Sequence, residues 1–450
     1  MNAVHGATYE RGPLRGRPHR QNERPHRPNG SIVTHPLQGD LSPPVENHKS
    51  EKSRLTLLLG SYTMLGPFSI STYMPFFPAL MVSLGATQAQ LQQTLSIYMA
   101  AFGFMMLLHG PLSDAFGRRT VVLVGLSVYL AASIAGALST SLALLMLFRT
   151  LQGLSVGAGS VVGRAVIRDR LEGAEAQRLL SQVTMIFGLA PAIAPVFGGW
   201  LQKWFSWPSV FIFLALFSFV QLVASFAYLP ETLPPDKRTS MRPAELVRSY
   251  KSVLGSKPFW LLSLALSGNF AGFFLYVSSA PWFIIDYLSL DQDQFGWLFI
   301  PAMSGVIFGS YLSGRLATRF PRRATVRCGY AIMFSAIALN LAYNGFFPPD
   351  IPWAVLPVAL YTTGMSLAMP SITLLTLDMF PGLRGMAASM QGFIQTMVMT
   401  FTSAVLAPLL GASGIHLAFG LLSLALGGYL SWFLYARPRE KETTEHPGKP

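Results

Sequence analysis

A ten-residue motif between two long apolar runs occurs twice in this chain, 204 residues apart. The first copy is Gly110-Pro-Leu-Ser-Asp-Ala-Phe-Gly-Arg-Arg119, and the second is Gly314-Arg-Leu-Ala-Thr-Arg-Phe-Pro-Arg-Arg323. A glycine, a leucine, a phenylalanine and a pair of arginines recur in register. Each apolar run is about twenty residues long, which is enough for a helix to cross a bilayer. The sequence therefore predicts a duplicated membrane protein with one basic hairpin in each half.

The composition agrees with a membrane protein. Hydrophobic residues make up 51% of the chain and charged residues 12%, whereas a soluble domain has about 25% charged residues. The net charge of +13 does not indicate nucleic-acid binding, because the Lys and Arg residues lie between the apolar runs. The one cysteine, Cys328, excludes an internal disulfide and a cysteine-based metal site. No metal and no cofactor are expected.

The apolar runs predict an all-α membrane protein with twelve transmembrane helices in two pseudo-symmetric six-helix bundles. We expect the N-terminal bundle over residues 55–229, a cytosolic linker over 230–257, and the C-terminal bundle over 258–437. Residues 1–54 are polar and lack an apolar stretch, so we expect a disordered cytosolic tail there, and a second cytosolic tail over 438–450. The predicted spans, numbered 1–12, are residues 56–82, 92–112, 120–139, 141–163, 180–202, 208–229, 258–282, 295–315, 324–345, 351–377, 385–409 and 413–436.

The distribution of Lys and Arg predicts the orientation of the chain. The loops after the even-numbered spans are rich in these residues, whereas the loops after the odd-numbered spans contain only Lys203. Basic loops stay in the cytoplasm. Both termini and the linker are therefore predicted to be cytoplasmic.

The first copy of the repeated motif is a candidate gate. Asp114 lies at a helix end, and the arginine pair follows at a spacing that lets the loop fold back and form an ion pair in one conformation only. The arginines could instead serve only as topology anchors, and their presence in both copies fits that alternative. Asp114 does not fit it, because the second copy has Thr318. The candidate gating residues are Gly110, Asp114, Gly117, Arg118 and Arg119.

The same stretch contains His109 and Asp114 at the spacing found in membrane acyltransferases, where a histidine acts as a base and an aspartate orients it. This spacing often arises by chance. The glycine and double arginine around it are better explained by a transporter loop. An enzyme is therefore not predicted, and the acyltransferase is kept only as a distant alternative.

Polar residues within spans 1, 4, 7, 10 and 11 are candidates for lining a substrate cavity. Arg149 carries a charge within span 4, which costs a few kcal/mol unless it faces a polar cavity or a partner, or snorkels to the surface. Each candidate could equally be a buried polar group that is satisfied between helices. The candidates are Tyr73, Arg149, Gln152, Asn269, Tyr276, Tyr361, Gln391 and Gln395.

Span 5 contains small residues and prolines spaced so that they form a flat face for close helix packing. These residues are Pro191, Ala194, Pro195, Gly198 and Gly199. Simple helix packing and a functional role would both use that face, so the pattern does not separate the two.

With these motifs the chain resembles the major facilitator superfamily, specifically its twelve-helix drug:proton antiporter branch, over residues 55–437. Gly110–Arg119 is similar to the loop signature of that family, and Leu144–Gly153 is similar to its helix 4 signature. Ala194–Gly199 is similar to its helix 5 antiporter signature. Ser71–Pro78 is similar to the Asp-Met-Tyr-Leu-Pro-Ala-Leu-Pro string of the bicyclomycin-resistance (Bcr/CflA) group.

The resemblance implies a transporter, expected to be a monomer in a bacterial inner membrane. It implies export of small amphipathic molecules, drugs or metabolites, by proton antiport with alternating access. The expected partners are the small-molecule substrate, protons and the lipid bilayer, with no nucleic acid. One departure keeps a proton-independent facilitator or uptake permease of the same fold open: the span 1 carboxylate of the family is Ser71 here. The remaining titratable candidates are Asp114, His109 and Asp378.

Overall fold

The structure is a computed structural model that describes residues 45–171, 173–238, 243–316, 319–381, 383–411 and 413–437. The predicted tail 438–450 and the first 44 residues of the predicted tail 1–54 lie outside the described residues. Within the described ranges every regular element is a helix or a helical turn. The chain from His48 onward forms one compact unit.

The helices, in chain order, have the following bounds: α1 (Val45–Ser71), α2 (Phe77–Leu84), α3 (Gln88–Phe116), α4 (Arg118–Ala137), α5 (Leu142–Arg170), α6 (Gly173–Trp204), α7 (Pro208–Tyr228), α8 (Pro243–Leu254), α9 (Lys257–Ser278), α10 (Gly296–Leu316), α11 (Arg322–Phe346), α12 (Leu356–Asp378), α13 (Arg384–Phe401), α14 (Ala407–Leu410) and α15 (Gly414–Ala436). Ten membrane-length apolar helices are found in the described part of the chain, with α13 and α14 counted as one. Helices α1 and α2 together lie over predicted span 1, and α6 covers span 5. The prediction of an all-α membrane protein is therefore confirmed.

Predicted span 1 is interrupted rather than continuous. Helix α1 ends at Ser71, a short 3-10 turn covers Met74–Phe76, and α2 begins at Phe77. Pro75 and Pro78 have no N–H, so neither can donate the hydrogen bond that would continue an α-helix through this point. The interruption places Tyr73 in a buried apolar cluster with residues of α2, α3, α5 and α7, among them Leu80, Leu91 and Phe211.

The two halves repeat the same helix pairings. Helix α5 packs against α3 and α4, and α12 packs in the same way against α10 and α11. Likewise α4 packs against α7, and α11 packs against α15. Glycines allow the close approach: a Cβ atom at Gly153 would overlap the Tyr98 carbonyl, and one at Gly309 would overlap the Thr363 carbonyl. The pseudo-symmetry inferred from the repeated motif is thus visible in the packing.

The halves meet along two lines, α3 against α13 and α6 against α10. We call the α3–α13 contact the seam. We call the end of the bundle where α3 ends and α4 begins the basic end, because Arg118, Arg119, Arg322 and Arg384 lie there. The other end is the opposite end.

Candidate functional site: an arginine held by carboxylates at the basic end

Arg118, the first residue of α4, lies at the centre of a cluster of charges. Its side chain is 9% exposed, and its guanidinium forms an ion pair with Asp114 at the end of α3. The same guanidinium donates to Asp169 at the end of α5 over 3.1 Å and to the Ser113 hydroxyl over 2.6 Å. Two carboxylates from two helices therefore share one buried cation.

A third carboxylate, that of Glu231, accepts hydrogen bonds from the start of α4. The backbone N–H groups of Arg118 and Arg119 donate to it over 2.9 and 3.3 Å. The first N–H groups of a helix have no partner within the helix and lie at the positive end of its dipole, so a carboxylate there is stabilising. We call Asp114, Arg118, Asp169 and Glu231 together the clamp.

Gly117 makes the clamp possible. It joins α3 to α4 with a φ of +96°, in a region that side chains disfavour. A Cβ atom there would also overlap the carboxylate of Glu231 and the guanidinium of Arg238. The sequence-predicted Gly110, by contrast, has open space where a Cβ would be placed.

Further bonds tie the clamp to the segment that follows α7. The hydroxyl of Thr232 donates to Asp169 over 2.8 Å, and Arg238 lies 3.6 Å from Glu231. Arg119 donates to the carbonyl of Phe226 over 2.6 Å. Four segments of the N-terminal half, α3, α4, α5 and the end of α7, are thereby joined at one point.

Sequence reasoning identified Asp114 and Arg118 but missed Asp169 and Glu231. Both acids lie next to basic loops, Asp169 between Arg168 and Arg170, and Glu231 directly after span 6. An acid at the basic end of a span, where positive charge dominates, was the available signal.

The second copy of the motif builds a smaller and more exposed arrangement. Arg322, the first residue of α11, lies 2.6 Å from Asp378 at the end of α12, and their side chains are 46% and 43% exposed. Arg384 lies 3.4 Å from the other oxygen of the same carboxylate. Thr318 lies outside the described residues.

Arg149 is enclosed within the N-terminal half. It is 0% exposed, and its guanidinium carbon lies 4.7 Å from the centre of the Tyr73 ring and 4.3 Å from that of Tyr98. One nitrogen donates to Gln152 over 3.0 Å. The other two nitrogens, Nε and Nη2, find no hydrogen-bond partner among the described residues. Aromatic faces surround this charge, as in other cation–π sites.

Gln152 extends this polar group across the bundle. It donates to the hydroxyl of Ser133 on α4 over 2.8 Å. The hydroxyl of Tyr73 is 2.9 Å from that of Thr94 on α3. The structure therefore brings three of the predicted cavity residues together, namely Tyr73, Arg149 and Gln152, in the interior of one half.

The five predicted cavity residues of the C-terminal half do not join that group. Tyr361 donates to the backbone carbonyl of Asn269 over 2.8 Å, and Tyr276 accepts from Asn340 over 2.6 Å. Gln391 donates to Thr376 over 3.0 Å. All four of these candidates are buried between helices, and the fifth, Gln395, is half-buried.

Two small residues of α6 pack directly against the backbone of other segments, at the opposite end of the bundle. A Cβ atom at Gly198 would overlap the backbone of Thr72, and one at Gly199 would overlap the backbone of Gln292 in the other half. Close by, the Lys203 ammonium bonds the Asp293 carboxylate over 2.9 Å. Ala194 is fully buried, Pro195 is buried and Pro191 is half-buried.

The acyltransferase arrangement is not formed. His109 is 3% exposed, and its Nδ1 faces α5 near Gly157, with no hydrogen-bond partner among the described residues. The carboxylate of Asp114 is bound by Arg118 instead. An aspartate cannot orient a histidine base that it does not contact, so the distant alternative is wrong.

Comparisons with known proteins agree with this architecture. The sequence profile of the Major Facilitator Superfamily matches residues 59–400 and also 263–450. A bicyclomycin resistance protein homolog of Haemophilus influenzae is 29% identical over 66% of this chain and 75% of its own length. Multidrug resistance protein D of Escherichia coli is 27% identical over 88% of this chain and 98% of its own length. A solved bacterial homolog of the human lysosomal transporter Spinster, inward-facing and occupied, covers 86% of this chain and 97% of its own with a TM-score of 0.66 at 15% identity.

Proposed function

The chain belongs to the Major Facilitator Superfamily and is a multi-pass membrane transporter, and we propose that it exports small amphipathic molecules, drugs or metabolites, from a bacterial cytoplasm. In this proposal the basic end lies in the cytoplasm, and the protein works in the inner membrane by alternating access. The names of the relatives, which refer to bicyclomycin and to multidrug resistance, support export of drug-like compounds.

The observation that carries the proposal is the uneven exposure of the clamp. Asp114 is 46% exposed, whereas Asp169 is 23% exposed, and both bind the same guanidinium. Asp114 can therefore leave Arg118 while Asp169 still compensates the buried charge. A contact that can be lost without stranding a charge is suited to a gate that exists in two states.

We propose Asp114 as the group through which protons couple to transport. It is the most exposed acid of the clamp. Its protonation would break the ion pair with Arg118, which would then be paired with Asp169 alone. The rival function, a proton-independent facilitator or uptake permease, is favoured by one observation. Arg149 is buried beside tyrosines without a carboxylate next to it among the described residues, so span 4 has no adjacent acid to exchange a proton with.

Flux through proteoliposomes tests both functions. The purified chain is reconstituted, and uptake of bicyclomycin and other amphipathic drugs is measured with and without an imposed pH gradient. Proton antiport predicts that the gradient drives accumulation above equilibrium. Flux that reaches equilibrium at the same rate with either sign of the gradient would identify a facilitator.

The orientation is tested with introduced cysteines. Cys328→Ser removes the one native cysteine, and Arg248→Cys and Asp291→Cys then place a thiol at an exposed position of α8 or of the loop at the opposite end. The proposal predicts that an impermeant maleimide labels Asp291→Cys in intact cells and Arg248→Cys only in opened cells. The reverse pattern would invert the orientation and the direction of the proposed export.

A further inference from the structure

Helix α3 contains a proline near its end. Because of this proline, one backbone carbonyl of α3 has no hydrogen-bond donor within the helix. Pro111 has no N–H, so the carbonyl of Leu107, four residues earlier, lacks its usual α-helical donor. A buried carbonyl without a partner is costly, so a donor from elsewhere is expected. The structure provides one.

The donor is the hydroxyl of Tyr250 on α8, the helix within the predicted linker. It donates to the Leu107 carbonyl over 2.7 Å. The hydroxyl is protonated and able to donate at neutral pH, because the ordinary tyrosine pKa already lies well above it. Burial raises the pKa of Tyr250 further. The residues are 143 positions apart in the chain, so this is a tertiary contact.

The same short helix is anchored to the C-terminal half. Val253, one turn after Tyr250, is buried in an apolar cluster with Phe259 of α9 and with Ala387 and Met390 of α13. Helix α8 therefore touches α3 through a hydrogen bond and α9 and α13 through apolar packing. It lies across the basic end of the seam.

The seam itself is tight next to this point. Met106, which precedes Leu107, lies against the position where a Cβ of Gly392 would be placed, and its sulfur is 3.7 Å from the hydroxyl of Thr396. A movement that changed the angle between α3 and α13 would have to move the Leu107 carbonyl relative to α8.

We propose that Tyr250 is a positioning residue of the transport cycle. It holds α8 across the seam by donating a hydrogen bond to the Leu107 carbonyl, which Pro111 leaves without a donor. The role rests on the proposed transport function. Tyr250 does not touch the interior polar groups, so its bond controls how readily the halves move and not how substrate is held.

A second side chain of α3 bonds the other half at the opposite end of the seam. The amide of Gln93 donates to the carbonyl of Ala404 over 2.9 Å, and Ala404 lies in a π-helical turn over Thr402–Leu406. A hydrogen bond from a side chain to a backbone carbonyl thus lies near each end of the seam.

A double-mutant cycle between Tyr250→Phe and Pro111→Ala tests the proposal. Pro111→Ala restores an N–H for the Leu107 carbonyl, so the Tyr250 hydroxyl should become redundant in that background. Tyr228→Phe, which removes the hydroxyl of an exposed tyrosine, is the matched control. The first readout is hydrogen exchange of the α8 amides, and the second is the dependence of flux on substrate concentration.

We expect Tyr250→Phe to raise exchange of the α8 amides by about fivefold, the effect of one neutral hydrogen bond, and to change the maximal flux without changing the half-saturating concentration. In the Pro111→Ala background, Tyr250→Phe should change neither the exchange of the α8 amides nor the maximal flux. Independent, additive effects, or a change only in the half-saturating concentration, would overturn the proposal. Absent flux in the wild type would contradict the proposed function, whereas the exchange cycle would still report whether the bond exists.

Discussion

The two copies of the basic hairpin share five of their ten residues but form different sites. In the first copy Arg118 is almost fully buried and is shared by two carboxylates, with a third carboxylate on the helix start behind it. In the second copy the carboxylate is the shared group: Asp378 lies between two exposed arginines, Arg322 and Arg384. The acids are in excess in one copy and the arginines in the other.

The arginine pair alone therefore does not determine what the motif builds. Exposed ion pairs contribute little, because water and salt screen them. A buried arginine with competing acids is different, since losing a partner leaves an uncompensated charge. The second copy therefore fits the topology-anchor interpretation of the motif, and the first copy fits the gate.

Removal of the central arginine should give the largest difference between the copies. Arg118→Ala strands Asp169 and Asp114 and should lower the free energy of unfolding by about 2–3 kcal/mol, after allowance for the exposure of Asp114. Arg322→Ala should cost less than about 1 kcal/mol, because its partner is exposed and keeps Arg384. Thermal unfolding in detergent measures both. Equal losses would mean that burial does not distinguish the two copies.

Neutralising the acids should separate the copies by transport rather than by stability. Asp114→Asn leaves Arg118 bound to Asp169, so the protein should fold and insert normally. Its flux should fall by about tenfold, a coupling of ordinary size between two global states. Asp378→Asn, the control, should change flux less than about twofold, as expected for an exposed pair. Wild-type flux in Asp114→Asn would end the gating interpretation.

Glu231→Gln should have the smallest effect of the three. The N–H groups of Arg118 and Arg119 bind different oxygens of the carboxylate, so the single amide oxygen of glutamine can accept from only one of them. The favourable interaction of a full charge with the start of α4 is also lost. We expect about 0.5–1 kcal/mol of destabilisation, which high salt should reduce. Arg119→Gln in the same assay controls for the general change of charge at this end. A loss as large as that of Arg118→Ala would mean that Glu231 and not Arg118 is the centre of the clamp.

Sequence alone predicts the parts of the clamp that are close in the chain. Asp114 and Arg118 are four residues apart, so their pairing needs only a helix end and a turn. Asp169 and Glu231 reach Arg118 from 51 and 113 residues away, and only the packing of α3, α4, α5 and α7 brings them there. The spans were predictable because their length and apolar content are local properties.

The surroundings of Arg149 show the same limit. Its charge within a span is plain from the sequence, and so is Gln152 three residues later. The sequence does not show what the face of α5 that carries them packs against. That depends on which neighbouring helices can approach the glycines of α5. The aromatic partner Tyr98 comes from α3 and was not among the predicted residues.

Gly198 and Gly199 of α6, at the opposite end of the bundle, limit which substitutions this protein can tolerate. Gly198 lies against the backbone of Thr72, where predicted span 1 is interrupted. Gly199 lies against the backbone of Gln292 in the other half. Two neighbouring positions on one helix therefore leave no room for a side chain, one against span 1 and the other against the other half. In a saturation library selected for drug resistance, alanine at Gly199 should be depleted as strongly as bulky residues, whereas the exposed Trp200 next to it should tolerate many apolar replacements.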